Sequence, residues 1–416
     1  MRSLEVVIVG AGTGGLCLAH GLQADGVCVR VFERDRAATD RPRGYRLTIN
    51  PTGARALRSC LPKENFERYV AGSAKVSTGV TILDHKLRPL LAFDLPQTDQ
   101  SAPDAARPIS RVTLRQVLLE GLEDVVAFGK TFAAFETAPD GRVIARFEDG
   151  STAEGDVLVG ADGASSRVRR QLLPRAERID TGIVMISGKL ALDAAARRES
   201  PPPVFKGPTL VLGPRGGFMF TGAVEYPDKA SVAYDRDEYV MWGFSAHRES
   251  LHIEGAVDGM SGEAARAAVL GQVRDWSPHL QRLVECADEA SLSTIAVKSS
   301  VPIGPWETSR ITLLGDALHN MTPYRGVGAN TALRDAALLR DTLRVINADR
   351  RALLPALASY ERQMIRYGFA AVRASLAQMK RVHTRSPVGR FATKVAFRLL
   401  DSWPQLRRRA MDLGSD

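Results

Sequence analysis

Cysteine is scarce. The 416-residue chain has four, Cys17, Cys28, Cys60 and Cys286, with no CxxC pair and no spacing that suits a metal. Neither a disulfide framework nor a zinc site is expected. Cys17 and Cys28 fall inside the first expected helix and the second expected strand, so they read as buried thiols of a reducing compartment. Aromatic residues make up only 6% of the chain, and no catalytic dyad is visible, so composition points to no particular substrate. No run of eighteen or more apolar residues occurs, so no membrane-spanning helix is expected. Arg2 and the apolar stretch after it superficially resemble a signal peptide. Glycines interrupt that stretch, and its residues are fully used by a strand and a helix, so the cytoplasm is the expected compartment. There is no internal repeat.

Apolar content of 44% and charged content of 25% are ordinary for a globular protein. The length allows a large core and two lobes. The net charge is +9, with arginines concentrated from Arg366 to Arg409. An anionic substrate, a pyridine nucleotide or a membrane surface could be drawn by it. A solvated basic helix is the simpler reading, and no nucleic-acid partner is expected.

Residues 6–33 carry the strongest pattern. Val6, Val7, Ile8 and Val9 form a short β-branched run that reads as a buried parallel strand. Gly10, Gly12 and Gly15 follow at GxGxxG spacing. The first permits a tight turn, the second lets backbone amides approach a pyrophosphate, and the third lets the next helix pack closely on the sheet. Leu16, Ala19 and Leu22 keep a helical stripe that Gly26 ends. A second strand, 27–32, delivers Glu33, 18 residues after Gly15. A carboxylate there accepts adenosine ribose hydroxyls and repels a 2′-phosphate. All parts fall in register, which predicts a dinucleotide site for FAD or NAD.

Two later segments return the same texture. A buried strand at 156–160 delivers Ala161-Asp162-Gly163, and one at 311–314 delivers Gly315-Asp316. Helices are expected at 331–343 and 353–380, and Ser110 is expected to cap a helix carrying Leu114 and Leu118. Residues 50–53 read as a turn. Residues 180–300 alternate in polarity, for example at 217–224 and 239–246, which predicts a mostly antiparallel sheet. The cofactor domain is then discontinuous, 1–75, 105–178 and 300–345. A substrate-binding sheet occupies 76–104 and 179–299, and 346–416 is a helical segment.

The segments GAGTGG, GADGASSRVRR and GDALHNMTPYRGVGAN, in this order over residues 4–345, resemble the flavin monooxygenases of the para-hydroxybenzoate and salicylate hydroxylase type, which include tetracycline-inactivating monooxygenases. The resemblance implies an α/β fold: a Rossmann-like FAD-binding domain with GxGxxG, DG and GD motifs, an inserted antiparallel substrate domain, and C-terminal helices. It also implies that Gly10, Gly12 and Gly15 cradle the FAD pyrophosphate and that Glu33 holds the ribose. Arg34 would lie along the adenine, and Arg111 would reach the cofactor from its R-x-x-L helix. Asp162 and Gly163 would touch the pyrophosphate region, and Asp316 would bind the ribityl chain. Pro323, Gly326, Gly328 and Asn330 match a P-x-x-G-x-G-x-N segment beside the flavin ring. A helix beginning near Gly328 would aim free amides at the flavin N1/C2 carbonyl, where reduction deposits negative charge. Arg325 stands where the family commonly has a small residue; it would orient an anionic substrate or form a salt bridge. Arg43 and Arg46 come from a region whose arginine often lies near the ring, and sequence does not choose between them. His319 has no companion acid in view and reads as structural.

The implied reaction uses NADPH or NADH as a transient reductant. Reduced flavin captures O2 as a C4a-hydroperoxide, and one oxygen passes to an aromatic or polycyclic small molecule, with a secondary metabolite or antibiotic suggested by the resemblance alone. The protein must place the substrate and exclude water. Met219, Tyr239, Trp242 and Phe244 are the candidates to line the pocket, though alternation turns half of such a set away. No catalytic residue is identified. Epoxidation and Baeyer–Villiger insertion would use the same oxygenated flavin. A halogenase is disfavoured because its W-x-W-x-I-P sequence is absent. A membrane-associated prenyl-lipid reductase or epoxidase would lay the basic C-terminal helices on a bilayer. A non-catalytic FAD-loaded protein is the remaining alternative.

Overall fold

The β-branched run opens the chain as β1 (Glu5–Val9), followed by α1 (Thr13–Ala24), β2 (Cys28–Phe32), β3 (Arg46–Ile49), α2 (Pro51–Cys60) and α3 (Lys63–Ala71). Next come β4 (Gly79–Asp84), β5 (Pro89–Asp94), β6 (Arg107–Ser110), α4 (Arg111–Leu119), β7 (Val126–Ala127) and β8 (Phe132–Thr137). Then follow β9 (Val143–Phe147), β10 (Thr152–Gly155), β11 (Val157–Gly160), α5 (Arg167–Leu172), β12 (Arg178–Ala191), α6 (Ala194–Glu199) and β13 (Thr209–Leu212). β14 (Phe218–Val224), β15 (Tyr239–His247), α7 (Gly262–Val273), α8 (Pro278–Glu285), β16 (Ser293–Ser300) and β17 (Ile311–Leu313) lead to the last helices. These are α9 (Asp316–His319), α10 (Gly328–Ala348), α11 (Leu353–Val382) and α12 (Pro387–Ser402). The structure, a computed structural model, describes residues 3–40, 45–95, 102–227, 237–253, 255–348 and 352–402.

β1 pairs in parallel with β2 and β11, and β11 with β17, within a sheet ordered β17-β11-β1-β2-β7. The residues of β1 and β11 are apolar on both faces because both faces are covered. α10 packs on α1 and α2, with α11 behind it. Parallel pairing brings the carboxyl ends of β1, β2, β11 and β17 to one edge, where ligands of open α/β sheets bind. Cys28 departs from expectation: it is exposed, because β2 turns Val29 and Val31 inward and Cys28 and Arg30 outward. Residues 50–53 are not a free turn either. Asn50 Oδ1 accepts from Gly53 N at 3.0 Å, which caps α2 with Pro51 in its first turn.

The second sheet has seven strands in the order β16-β12-β15-β14-β13-β4-β5, antiparallel except for the parallel β4–β13 pair. The 180–300 stretch also contains three helices that alternation concealed, the short α6 and the longer α7 and α8. Ser261 Oγ caps α7 by accepting from Ala264 N, and Pro278 opens α8. Val269, Val273, Trp276, Leu280 and Val284 then cover one face of the sheet, packing on Met219, Val240, Trp242 and Phe244. The opposite face is left to the FAD-type lobe. No helix among the described residues is long and apolar enough to cross a membrane.

Candidate cofactor and substrate site

The three glycines meet three different constraints. Gly10 has φ +112°, and a Cβ there would lie 2.4 Å from Ala161 O. A Cβ on Gly15 would lie 2.2 Å from Gly10 O, so any side chain would push α1 off the turn. A Cβ on Gly12 would meet nothing within 4 Å. Gly12 is also the N-cap of α1, and no side chain caps that end. The first amides of α1 therefore lack side-chain acceptors beside an open volume, the arrangement that receives a phosphate.

Glu33 is 3% exposed. Its Oε2 accepts from Ala11 N at 2.7 Å and its Oε1 from Asp35 N at 3.1 Å, which ties the end of β2 to the glycine turn. Arg34 is exposed beside it, and Arg111 is exposed at the first position of α4. Ser110 caps α4 as expected, with Oγ accepting from Val112 N at 3.3 Å. One turn on from Arg111, Arg115 pairs with Asp35 at 3.0 Å. Its Nε and Nη2 are buried without hydrogen-bond partners. Sequence reading passed over Arg115; its i+4 spacing from Arg111, on the same helix face, was the available signal.

Asp162 follows β11 after one residue, Ala161. Its Oδ2 accepts from Arg167 N at 2.7 Å, whereas its Oδ1 is buried with no partner. An orphaned buried acceptor costs about 1–3 kcal/mol unless a donor arrives. Two arginines not singled out from sequence brace this loop. Arg169 Nη1 donates to Ala164 O at 3.2 Å and to Ala317 O at 2.8 Å. Arg178 Nη1 donates to Ala164 O at 2.9 Å, and its Nε donates to Asn320 Oδ1 at 3.1 Å. They staple the loop holding Asp162 and Gly163 to the segment that carries Asp316. Asp316 is exposed at the start of α9.

After α9, Pro323 and Arg325 stand exposed in one 3₁₀ turn, Gly326 follows in the left-handed region, and Gly328 begins α10. Asn330 is 3% exposed and clamps this segment to β3. Its Nδ2 donates to Thr48 O and its Oδ1 accepts from Asn50 N, both at 2.9 Å. His319 does have a companion acid, 16 residues away on α10. Its Nε2 lies 2.7 Å from Asp335 Oδ2, which also accepts from Gly315 N at 2.7 Å. Tyr367 OH donates to Asp335 Oδ1 at 2.5 Å. Burial pulls His319 down, but the Asp335 carboxylate more than offsets it, so His319 titrates above its ordinary value. Both members of the pair are buried, so they hold the turn and do not meet substrate.

Strand pairing decides the substrate-lining candidates, because directly paired residues share a face. Met219 pairs with Phe244, and Thr221 with Trp242. Met219, Trp242 and Phe244 are fully buried against α7, α8 and Trp276. Burial of such side chains stabilises by about 1.5–3 kcal/mol each, so they are core and not pocket lining. Tyr239 pairs with Val224 on the other face, beside Met241, Phe220 and Tyr45. That face runs on to Phe218 and Ser245, which meet the 3₁₀ turn at Tyr324. Phe218 and Tyr324 have ring centroids 6.0 Å apart. Ser245 Oγ and Tyr324 OH lie 3.3 and 2.7 Å from His383 Nε2. His383 Nδ1 is 2.7 Å from Gly216 O, so it carries the proton and Nε2 accepts from the two hydroxyls. Arg43 lies outside the described residues. Arg46 is half-buried at the start of β3, and burial holds it below its ordinary value.

A family profile described as "FAD binding domain" matches residues 3–205 and 285–375. The dual O-methyltransferase/FAD-dependent monooxygenase elcB of Phaeosphaeria nodorum is 30% identical over 91% of this chain; the chain spans about half of that relative, 46% of its length. A FAD-containing monooxygenase structure from Photorhabdus luminescens shares 34% identity with a TM-score of 0.81, covering 92% of this chain and 99% of that one. Klebsiella pneumoniae HpxO, solved with FAD and uric acid, shares the fold at 23% identity and a TM-score of 0.77, covering 95% of this chain and 92% of that one. FAD fits the residues present: open space over Gly12 at an uncapped helix end, orphaned donors on Arg115 and an orphaned acceptor on Asp162. FAD is the cofactor, and the chain belongs to the FAD-dependent monooxygenases of the para-hydroxybenzoate and salicylate hydroxylase type.

Proposed function

We propose that the chain is an NAD(P)H-dependent FAD monooxygenase that hydroxylates an aromatic or polycyclic small molecule. The observation that carries this reading is the placement of the flavin-edge segment. Residues 323–330 lie against one face of the seven-stranded sheet through Tyr324, while at the other end Asn330 bonds Thr48 of β3 and Gly328 begins α10, which packs on α1. A ring held at that segment would face a wall made by the sheet.

In this reading the α1 amides and Gly10, Gly12 and Gly15 hold the pyrophosphate, Glu33 the ribose, and Asp316 the ribityl chain. Arg34 flanks the adenine, Arg111 approaches the cofactor from α4, and Asp162 and Gly163 border the pyrophosphate. Pro323, Gly326 and Gly328 pass beside the ring. Bound FAD supplies the oxygen activation. The protein's part is geometric and electrostatic. The α10 amino end offers a partial positive charge to the pyrimidine edge of the ring. The face of β14 and β15 that carries Phe218, Phe220 and Met241, opposite the one packed on α7 and α8, would keep water from the ring. The aromatic substrate class draws on HpxO, solved with uric acid, and on the dual-function fungal relative, whose name pairs oxygenation with O-methylation. NADPH or NADH would visit transiently from solution. Asp316→Ala is expected to lose FAD on gel filtration; full flavin content in the variant would overturn the assignment of Asp316.

One observation favours a peripheral membrane location as a second reading. On α12, Val388, Phe391 and Leu399 are 77%, 71% and 57% exposed along one stripe, with Lys394 and Arg398 on its flank. Co-sedimentation of the full chain with anionic phosphatidylglycerol vesicles, abolished by replacing the three apolar residues with serine, would support it. Absence of co-sedimentation would remove it.

A further inference from the structure

The turn that precedes α10 hangs on one side chain. Its flanks are tied down separately. Asn320 Oδ1 accepts from Arg178 Nε at 3.1 Å, and Asn330 clamps to β3 through Thr48 O and Asn50 N. Between them Pro323, Arg325 and Gly326 are exposed, and Gly326 is left-handed at φ +63°. Tyr324 is half-buried, and its OH lies 2.7 Å from His383 Nε2. Among the described residues, this is the one hydrogen bond that a side chain of 323–326 makes.

His383, at the carboxyl end of α11, is 3% exposed, and its ring is fixed at both nitrogens. Nδ1 donates to Gly216 O at 2.7 Å, which leaves Nε2 to accept from Tyr324 OH, with Ser245 Oγ 3.3 Å away. Its own carbonyl lies 3.0 Å from His247 Nε2. Phe218, which pairs with Ser245 across β14 and β15, has its ring centroid 6.0 Å from that of Tyr324 and 6.3 Å from that of His383. One imidazole therefore ties the turn to the seven-stranded sheet and to α11. Packing alone would be served by phenylalanine at 324 and an apolar residue at 383. A hydrogen bond adds direction, and a buried hydroxyl without an acceptor would be costly.

We propose that Tyr324 and His383 are positioning residues of the reaction, whose hydrogen bond sets the turn of 323–326 and, through it, the amino end of α10. The inference rests on the flavin monooxygenase reading, in which that amino end faces the pyrimidine edge of the ring, and adds the two residues that hold it in place. The physical link is short. Gly328 opens α10 four residues after Tyr324. The field of a helix end falls off within about one turn, so a small displacement there changes how well it supports negative charge at the ring. The bond thereby tunes how readily bound FAD accepts electrons.

The midpoint potential of bound FAD tests this, read by dye-mediated reductive titration of the full FAD-loaded chain with no substrate added. Tyr324→Phe keeps the ring and removes the hydroxyl. It should retain full flavin content while its affinity for reduced relative to oxidised FAD falls about fivefold, the size of a helix-end contact, which lowers the potential by about 20 mV for two electrons. His383→Leu should lower it equally. His383→Gln, whose amide oxygen can take the place of Nε2, should restore most of it. The double variant Tyr324→Phe with His383→Leu should shift no further than either single one, because both remove the same bond. Tyr324→Phe carries the test by itself should His383→Leu fail to fold. An unchanged potential in Tyr324→Phe would overturn the proposal and leave the bond a packing contact. Additive shifts in the double variant would overturn it as well, since His383 would then not act through Tyr324. A wild type that takes up no FAD fails the flavin reading and this proposal with it, whereas an FAD-loaded wild type with an unmoved Tyr324→Phe potential fails the proposal alone.

Discussion

His319 Nε2 lies 2.7 Å from Asp335 Oδ2, with both side chains buried. The pair joins the residue that ends α9 to the second turn of α10, so residues 320–334 are bracketed by one carboxylate. Asp335 also accepts from Gly315 N and Tyr367 OH. Asp335→Ala leaves three donors without an acceptor, two of them buried and that of Tyr367 half-buried, and the expected loss is about 3–5 kcal/mol. Urea unfolding of the FAD-loaded protein measures it. A loss under about 1 kcal/mol, the size of an exposed pair, would show that the pair does not hold the turn.

Gly12 and Gly15 should separate binding from folding. Gly15→Ala places a Cβ 2.2 Å from Gly10 O and should destabilise even the apoprotein by about 1–3 kcal/mol. Gly12→Val enters open space at φ −84°, so the apoprotein should stay within about 0.5 kcal/mol of wild type while FAD is lost. Denaturant curves of the two apoproteins, with flavin content measured alongside, check both halves. A Gly12→Val variant that keeps its flavin would contradict the pyrophosphate placement.

His383 gives the protein an acid-sensitive contact. Burial is the main cause that lowers it from 6.5 to about 4, with His247 acting in the same direction. Its folded value is depressed, so the neutral ring is the native form, and the unfolded chain takes up a proton first as pH falls. The stability tied to His383 is therefore complete above about pH 6.5 and lost between 6.5 and about 4. The shift corresponds to roughly 3 kcal/mol. His383→Asn should flatten the fall in stability over that window, as read from urea midpoints at a series of pH values. An unchanged pH profile would contradict the neutral, Nδ1-protonated assignment.

Arg325 is exposed in the 3₁₀ turn before α10 and makes no ion pair or side-chain hydrogen bond among the described residues. The salt bridge weighed from sequence is not formed among these residues. Arg325→Ala should keep full flavin content but change the ratio of hydrogen peroxide formed to NADPH consumed by up to about fivefold, the size of an exposed charge contact. The same ratio in variant and wild type would remove Arg325 from the substrate path.

Much of the cofactor edge was legible because it depends on local sequence. Val6–Val9, the glycine spacing and Glu33 lie within one βαβ unit, and buried parallel strands leave continuous apolar runs. The sheet faces were less legible. Tyr239 differs from Trp242 and Phe244 in parity, so alternation alone excluded a common wall, but it could not say which face met the cofactor. That depended on α7 and α8, which the alternating texture of 180–300 concealed despite Ser261 and the Ser277-Pro278 start signal. The partners of His319 and His383, and the bracing by Arg169 and Arg178, are contacts between distant elements. No local pattern encodes them.

The most direct test of the central claim needs no knowledge of the substrate. The purified protein would be reduced anaerobically with NADPH or NADH, mixed rapidly with oxygenated buffer, and followed by flavin absorbance. The account predicts yellow protein whose flavin reoxidises in two phases, separated by a transient that is neither reduced nor oxidised flavin. A single-phase return to oxidised flavin, or a protein that binds no FAD, would contradict it.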